Sequence, residues 1–196
     1  MILNPTIADI YRPGEKSQAL LYNILLIFGG SIFIAFSAQV ALGGPVPFTM
    51  QTFAVLLVGA LFGARLGSMC VGLYLLEGLA GWPVFSHWRG GLPMLLGPTG
   101  GYLIGFLAAA YIVGFLAQHG WDRHISTTIL AMVIGNIIIH LFGFIWFSLL
   151  AGINKALVFG FYPFIPGDIV KIALAAALLP SGWKLIKNIS LINNKE

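Results

Sequence analysis

Residues 17–64 read SQALLYNILLIFGGSIFIAFSAQVALGGPVPFTMQTFAVLLVGALFGA, 48 consecutive positions between Lys16 and Arg65 without a charged side chain. About 20 apolar helical residues cross a hydrocarbon core about 30 Å thick, so this stretch holds more than one crossing. The pattern recurs, with 32 uncharged residues between Arg89 and Asp122 and 31 between Arg123 and Lys155. Over the whole chain 8% of residues are charged, against about a quarter in ordinary soluble domains. That balance excludes soluble enzymes, disordered regulators and nucleic-acid modules. A β-barrel is excluded as well, because its strands alternate polar and apolar positions in pieces of about 10 residues, whereas these runs are apolar throughout.

The fold class is therefore an all-α integral membrane protein, a compact bundle. Glycine, proline and charge breaks predict six transmembrane helices over 18–42, 48–64, 66–80, 97–118, 125–151 and 165–187. The second and third are short for a crossing at about 1.5 Å per residue, and a five-span reading that merges them is the alternative. A segment 1–17 precedes the transmembrane domain 18–187, and a tail 188–196 follows it. The first apolar run follows sixteen mixed residues and lacks a cleavage site, so it reads as a retained span. With six spans, Arg12, Lys16, Arg65, Arg123, Lys184, Lys187 and Lys195 share the side of the termini, opposite Arg89 and Lys155. Basic residues favour the cytoplasmic side, which predicts both termini cytoplasmic.

The inward connections are short and polar. The outward ones, at 43–48, 81–101 and 160–168, are rich in glycine, proline and aromatic residues and nearly free of charge, as expected of a cap over the outer face. The run PGDIVK at 166–171 puts Asp168 and Lys171 three apart on one face of the last helix. Charges within a membrane span pair with each other or face a cavity, so this pair is either a structural ion pair or a ligand site. Arg89 lies among glycines and aromatics, and a guanidinium can grip a carboxylate through two hydrogen bonds. Asn136 and His140 read as interhelical hydrogen-bonding residues, Glu77 as a helix end or a site residue, and Cys70 as packing.

There is no His-Glu-x-x-His metal motif and no P-loop, so neither metal nor nucleotide chemistry is expected of the chain itself. Whatever the chain moves draws its energy from a partner, an ion gradient or nothing. Ser31, Ala35 and Ala38 on the first span form a small-residue face that either packs within the chain or receives a partner helix.

The blocks GGPVPFTMQTFAVLLVGALFGARLG (43–67), GWPVF, RGG, LGPTGGYLIGF (96–106) and IPGDIVKIALA (165–175) resemble the BioY family. These are the biotin-specific substrate-binding subunits, or S components, of bacterial energy-coupling-factor transporters. The resemblance implies a six-helix subunit of the bacterial cytoplasmic membrane that is not an enzyme and needs no cofactor. It would bind biotin near the outer face and work with a transmembrane coupling protein and two ATPases. It further implies that Asp168, Lys171 and Arg89 contact biotin, with the 45–51 block, including Phe48 and Gln51, as a lid. Biotin offers ureido N–H donors to Asp168, a bicyclic body to Phe48, Trp82, Phe85, Tyr102 and Tyr162, and a carboxylate to Arg89 or Lys171. The competing expectations are a membrane enzyme using Asp168 and His140 as acid and base, or a scaffold.

Overall fold

The computed structural model describes residues 4–43 and 46–193, with side chains through 188. Pro45 of the expected lid, Lys195 and the end of the tail lie outside the described residues. The chain forms α1 (Ile7–Ile10), α2 (Lys16–Gln39), a minimal antiparallel hairpin of β1 (Ala41–Leu42) and β2 (Phe48–Thr49), α3 (Gln51–Leu79), α4 (Leu92–Leu96), α5 (Gly100–Ala117), α6 (Ile125–Ala151), α7 (Ile153–Gly160) and α8 (Ile165–Asn193). Five segments are long and apolar enough to cross a membrane: α2, α3, α5, α6 and the run from α7 into α8. The fold is all-helical and multi-pass, as the charge-free runs require.

Residues expected in two helices, 48–64 and 66–80, fall within α3, but not as one rod. Gly63 breaks the helical path with φ 79° and ψ 175°, a left-handed backbone that favours glycine. Beyond it Gly67 packs on Gly59, and a β-carbon on Gly67 would come within 2.8 Å of the Gly59 Cα. Residues eight apart in a straight helix are separated by about 12 Å, so the two halves of α3 turn back on each other.

The halves of α3 pack on α5, and α5 packs on α6, with Val58, Val71, Leu103, Phe106, Val113 and Ile139 buried between them. Lipid-facing surface is left to α2, α6 and α8, which expose residues such as Phe36, Leu149 and Ile169. In a bilayer such faces need no cover, because lipid tails are as apolar as leucine.

One end is sealed by the segment before α2. Thr6 is fully buried and caps α1 in a reciprocal box with Asp9. Asn4 N donates to Gln118 O, and Arg123 donates to Pro5 O. Arg123 also lies 4.4 Å over the Trp183 ring, whose Nε1 donates to the buried Asp122 at 2.5 Å. The other end is covered by the β-hairpin, the 81–99 loop and the 161–164 turn, the three connections expected to form a cap.

Candidate ligand cavity under the outer loops

The first turns of α8 carry both charges inward. Asp168 and Lys171 are buried, and Lys171 Nζ donates to Asp168 Oδ1 at 3.2 Å and to Thr52 Oγ1 of α3 at 2.8 Å. The Phe48 ring lies under the same ammonium at 4.1 Å from its centroid, and cation and ring face attract. Phe48 reaches this position because residue 167 is glycine: a β-carbon there would run into the ring. The second carboxylate oxygen, Oδ2, meets His140 Nε2 of α6 at 2.6 Å. Asp168 is thus held between two donors from different helices.

Beside this network lies a small cavity of ≈ 40 Å³. Gln51, Thr52, Phe85, Tyr102, His140 and Phe164 line it, with Thr49, Ser86, Met94 and Thr99 among the remaining wall residues. Its polar groups are ordered. Gln51 accepts from Thr49 and donates to the buried Tyr74 hydroxyl at 2.6 Å, and Tyr102 donates to Gly160 O at 2.6 Å. Rings stand close on the His140 side, where Tyr102, Phe161 and Phe164 meet the imidazole edge-on at 5.6–6.1 Å between centroids.

The expected site residues therefore fall into four groups. Gln51, Phe85 and Tyr102 line the cavity. Asp168 and Lys171 stand one hydrogen bond behind its wall, through His140 and Thr52, with Phe48 covering the lysine. Arg89 is exposed and lines a neighbouring outer hollow of ≈ 400 Å³, which shares Met94 and Thr99 with the cavity. Trp82 and Tyr162, 60% and 54% exposed, line neither space. The loops turn them outward, Trp82 directly after the positive-φ Gly81.

Sequence reasoning missed Thr52, Tyr74 and Gln39 as functional groups. Gln39 at the end of α2 donates to the carbonyls of Val84 and Phe85 and accepts from Trp88 N at 2.9 Å. It thereby holds a turn in which His87 and Trp88 both have positive φ, 60° and 57°, an uncommon conformation for non-glycine residues. This turn sets Phe85 and Ser86 toward the cavity and Arg89 away from it.

The small-residue face is occupied within the chain, the first of its two readings. Ser31 and Ala38 are fully buried and Ala35 half-buried, and Ser31 donates to Glu77 of α3. Those residues pack within the chain, since α2 turns them toward α3 and its phenylalanines toward lipid.

Comparison with known proteins agrees with this geometry. The profile of the BioY family matches residues 14–188. A probable biotin transporter BioY of Pyrococcus horikoshii is 38% identical over 164 residues, covering 84% of this chain and 93% of its own length. A biotin transporter BioY of Thermotoga maritima is 36% identical over 162 residues, covering 82% and 90%. A crystal structure of the S-component for biotin from an ECF-type ABC transporter superposes with a TM-score of 0.73 at 26% identity, over 88% of this chain and 95% of that one. With the family profile covering nearly all of the helical bundle and these relatives matched over most of their length, the chain belongs to the BioY family.

Proposed function

We propose that this chain binds biotin in the cavity under the outer loops and serves as the substrate-binding subunit for biotin uptake, driven by a coupling membrane protein and its ATPases. It is a transport protein and not an enzyme. The observation that carries the reading is the cavity itself, with an aromatic wall, Gln51, Thr52 and His140 as its polar groups, and an Asp168–Lys171 pair directly behind. The aromatic wall suits the bicyclic body of biotin, and the few fixed donors and acceptors suit its ureido ring. The valerate tail then leaves between Met94 and Thr99 toward Arg89, whose guanidinium matches a carboxylate.

Ligand sites commonly measure about 300–1,000 Å³, far more than the ≈ 40 Å³ present. The β-hairpin and the 81–99 loop therefore lift to admit biotin and close over it. Both termini are cytoplasmic, the membrane is the bacterial inner membrane, and the two halves of α3 act as two short spans, giving six helices. The basic residues of the terminal side and the reversal at Gly63 support this arrangement.

Binding of tritiated biotin to the purified chain in detergent tests the reading. Saturable binding at nanomolar concentrations is expected, and Asp168→Asn should weaken it at least about tenfold, the factor for about 1.4 kcal/mol. An absence of binding up to tens of micromolar overturns the proposal.

A further inference from the structure

The outer turn that carries Phe85 is closed on itself. Phe85 N donates to Arg89 O at 2.9 Å and Arg89 N to Phe85 O at 3.3 Å, a bridge with Ser86, His87 and Trp88 at its tip. The base of the turn is anchored by a ring: Phe85 lies over Gly78, where a β-carbon would run into it, and meets Tyr74 edge-on at 5.4 Å between centroids. The tip has no such anchor, because the side chains of His87 and Trp88 are exposed. Yet both residues hold left-handed backbone, with φ 60° and 57°, which costs free energy in any residue with a β-carbon. Two such residues in succession persist only where surrounding groups impose the conformation.

The group that imposes it comes from another helix. Gln39, the last residue of α2, gives its Nε2 to Ala35 O of its own helix and to Phe85 O of the turn, both at 3.1 Å, with Val84 O at 3.4 Å. Its Oε1 receives Trp88 N at 2.9 Å. Donor and acceptor ends of the carboxamide are both engaged, one at the base of the turn and one at its strained tip. Gln39 itself lines neither the cavity nor the hollow at Arg89. The turn it grips supplies both, with Phe85 and Ser86 lining the first and Arg89 the second.

We propose that Gln39 is a positioning residue for ligand binding, a clamp from α2 that offsets the backbone strain at His87 and Trp88 and keeps the 85–89 turn formed before a ligand arrives. The proposal rests on the biotin reading. Without the clamp the tip relaxes to ordinary backbone angles and carries Ser86 and Arg89 with it. The ligand then meets a binding-competent turn in only a fraction of the molecules, and its apparent affinity falls by that fraction. Glycine adopts positive φ without a steric cost, so a turn with glycine at 87 and 88 has little strain for Gln39 to offset.

The experiment measures equilibrium binding of tritiated biotin in detergent to wild type, Gln39→Leu, His87→Gly/Trp88→Gly and the triple variant. Leucine fills the space and removes both hydrogen-bonding groups. Gln39→Leu should weaken biotin at least tenfold in the native turn and less than threefold when added to the glycine pair. The difference between the two losses isolates the coupling of Gln39 to the strained backbone, and a side chain that served only to pack would show none. A smaller loss in the native turn, or a loss of the same size in both backgrounds, would overturn the proposal. Amide hydrogen exchange of unliganded wild type decides it if Gln39→Leu does not fold: the Trp88 N–H should exchange at least tenfold more slowly than in an unstructured peptide, and exchange at the peptide rate would overturn the clamp. That measurement needs no biotin, so a wild type that protects Trp88 but binds no biotin would sink the biotin reading and leave the clamp standing.

Discussion

Lys171 on α8 donates to Thr52 on α3 at 2.8 Å, joining helices whose contacting residues lie 119 positions apart. Asp168 is the second hydrogen-bond partner of the ammonium, and the Phe48 ring lies 4.1 Å from it. Thr52→Val keeps the shape and removes the acceptor, leaving a buried charged donor unmet at about 1–3 kcal/mol. Thermal unfolding in detergent should show a lower Tm and biotin titration a weaker affinity, with Thr52→Ser close to wild type on both. Equal behaviour of Val and Ser would mean that the hydroxyl contributes nothing.

The buried Lys171 ammonium already donates to Thr52 and Asp168, whereas the exposed Arg89 donates through its Nε alone, to Ser86 O. Arg89→Ala should weaken biotin at least tenfold and biotin amide less than about twofold, while Lys171→Ala weakens both alike. Such a cycle isolates one pairing. A selective loss on removing Lys171 instead would reverse the roles.

Burial pushes the Asp122 carboxyl above the usual aspartate value, against the opposing pull of the Trp183 N–H and the Arg123 charge. A pKa higher in the folded than in the unfolded chain gives stability that is full below the ordinary value, near pH 4, and is lost as pH rises through the folded one. Asp122→Asn stays neutral and can still accept from Trp183. It should therefore raise Tm at pH 7 and flatten the acid side of the Tm–pH curve. A lower Tm for the Asn variant at pH 7 would show that the charged form is the favoured one.

For orientation, His124→Cys and Lys155→Cys place thiols at exposed positions before α6 and in α7, while the native Cys70 is buried. An impermeant maleimide should label residue 155 in intact cells and residue 124 only after the membrane is opened. The reverse pattern would invert the bundle and put the cavity on the cytoplasmic side.

Much of this was legible in the sequence because membranes simplify the problem. Charge-free runs located the helices, and the three-residue spacing of Asp168 and Lys171 placed both on one face. What spacing cannot carry is contact between distant segments. Thr52 sits unmarked in an apolar run, and only the packing of α8 on α3 makes it a partner for Lys171. His140 was correctly read as bonding between helices, but its partner is the charged pair itself. Trp82 and Tyr162 share the composition of Phe85 and Tyr102, yet backbone geometry in the outer loops sends them to opposite sides. The Ser31, Ala35 and Ala38 stripe was visible, whereas the direction it faces depends on how α2 rolls against α3.

A cavity of ≈ 40 Å³ lined by Phe85, Met94 and Phe164 also sets a clock, because biotin is far larger than the space present. No occupant larger than a water can enter or leave faster than those walls part, however weakly it is held. Loop and lid motions of this kind run over microseconds to milliseconds. Exchange of a larger occupant therefore has a ceiling that belongs to the protein, and Gln39 ties α2 to the outer loop that carries Phe85.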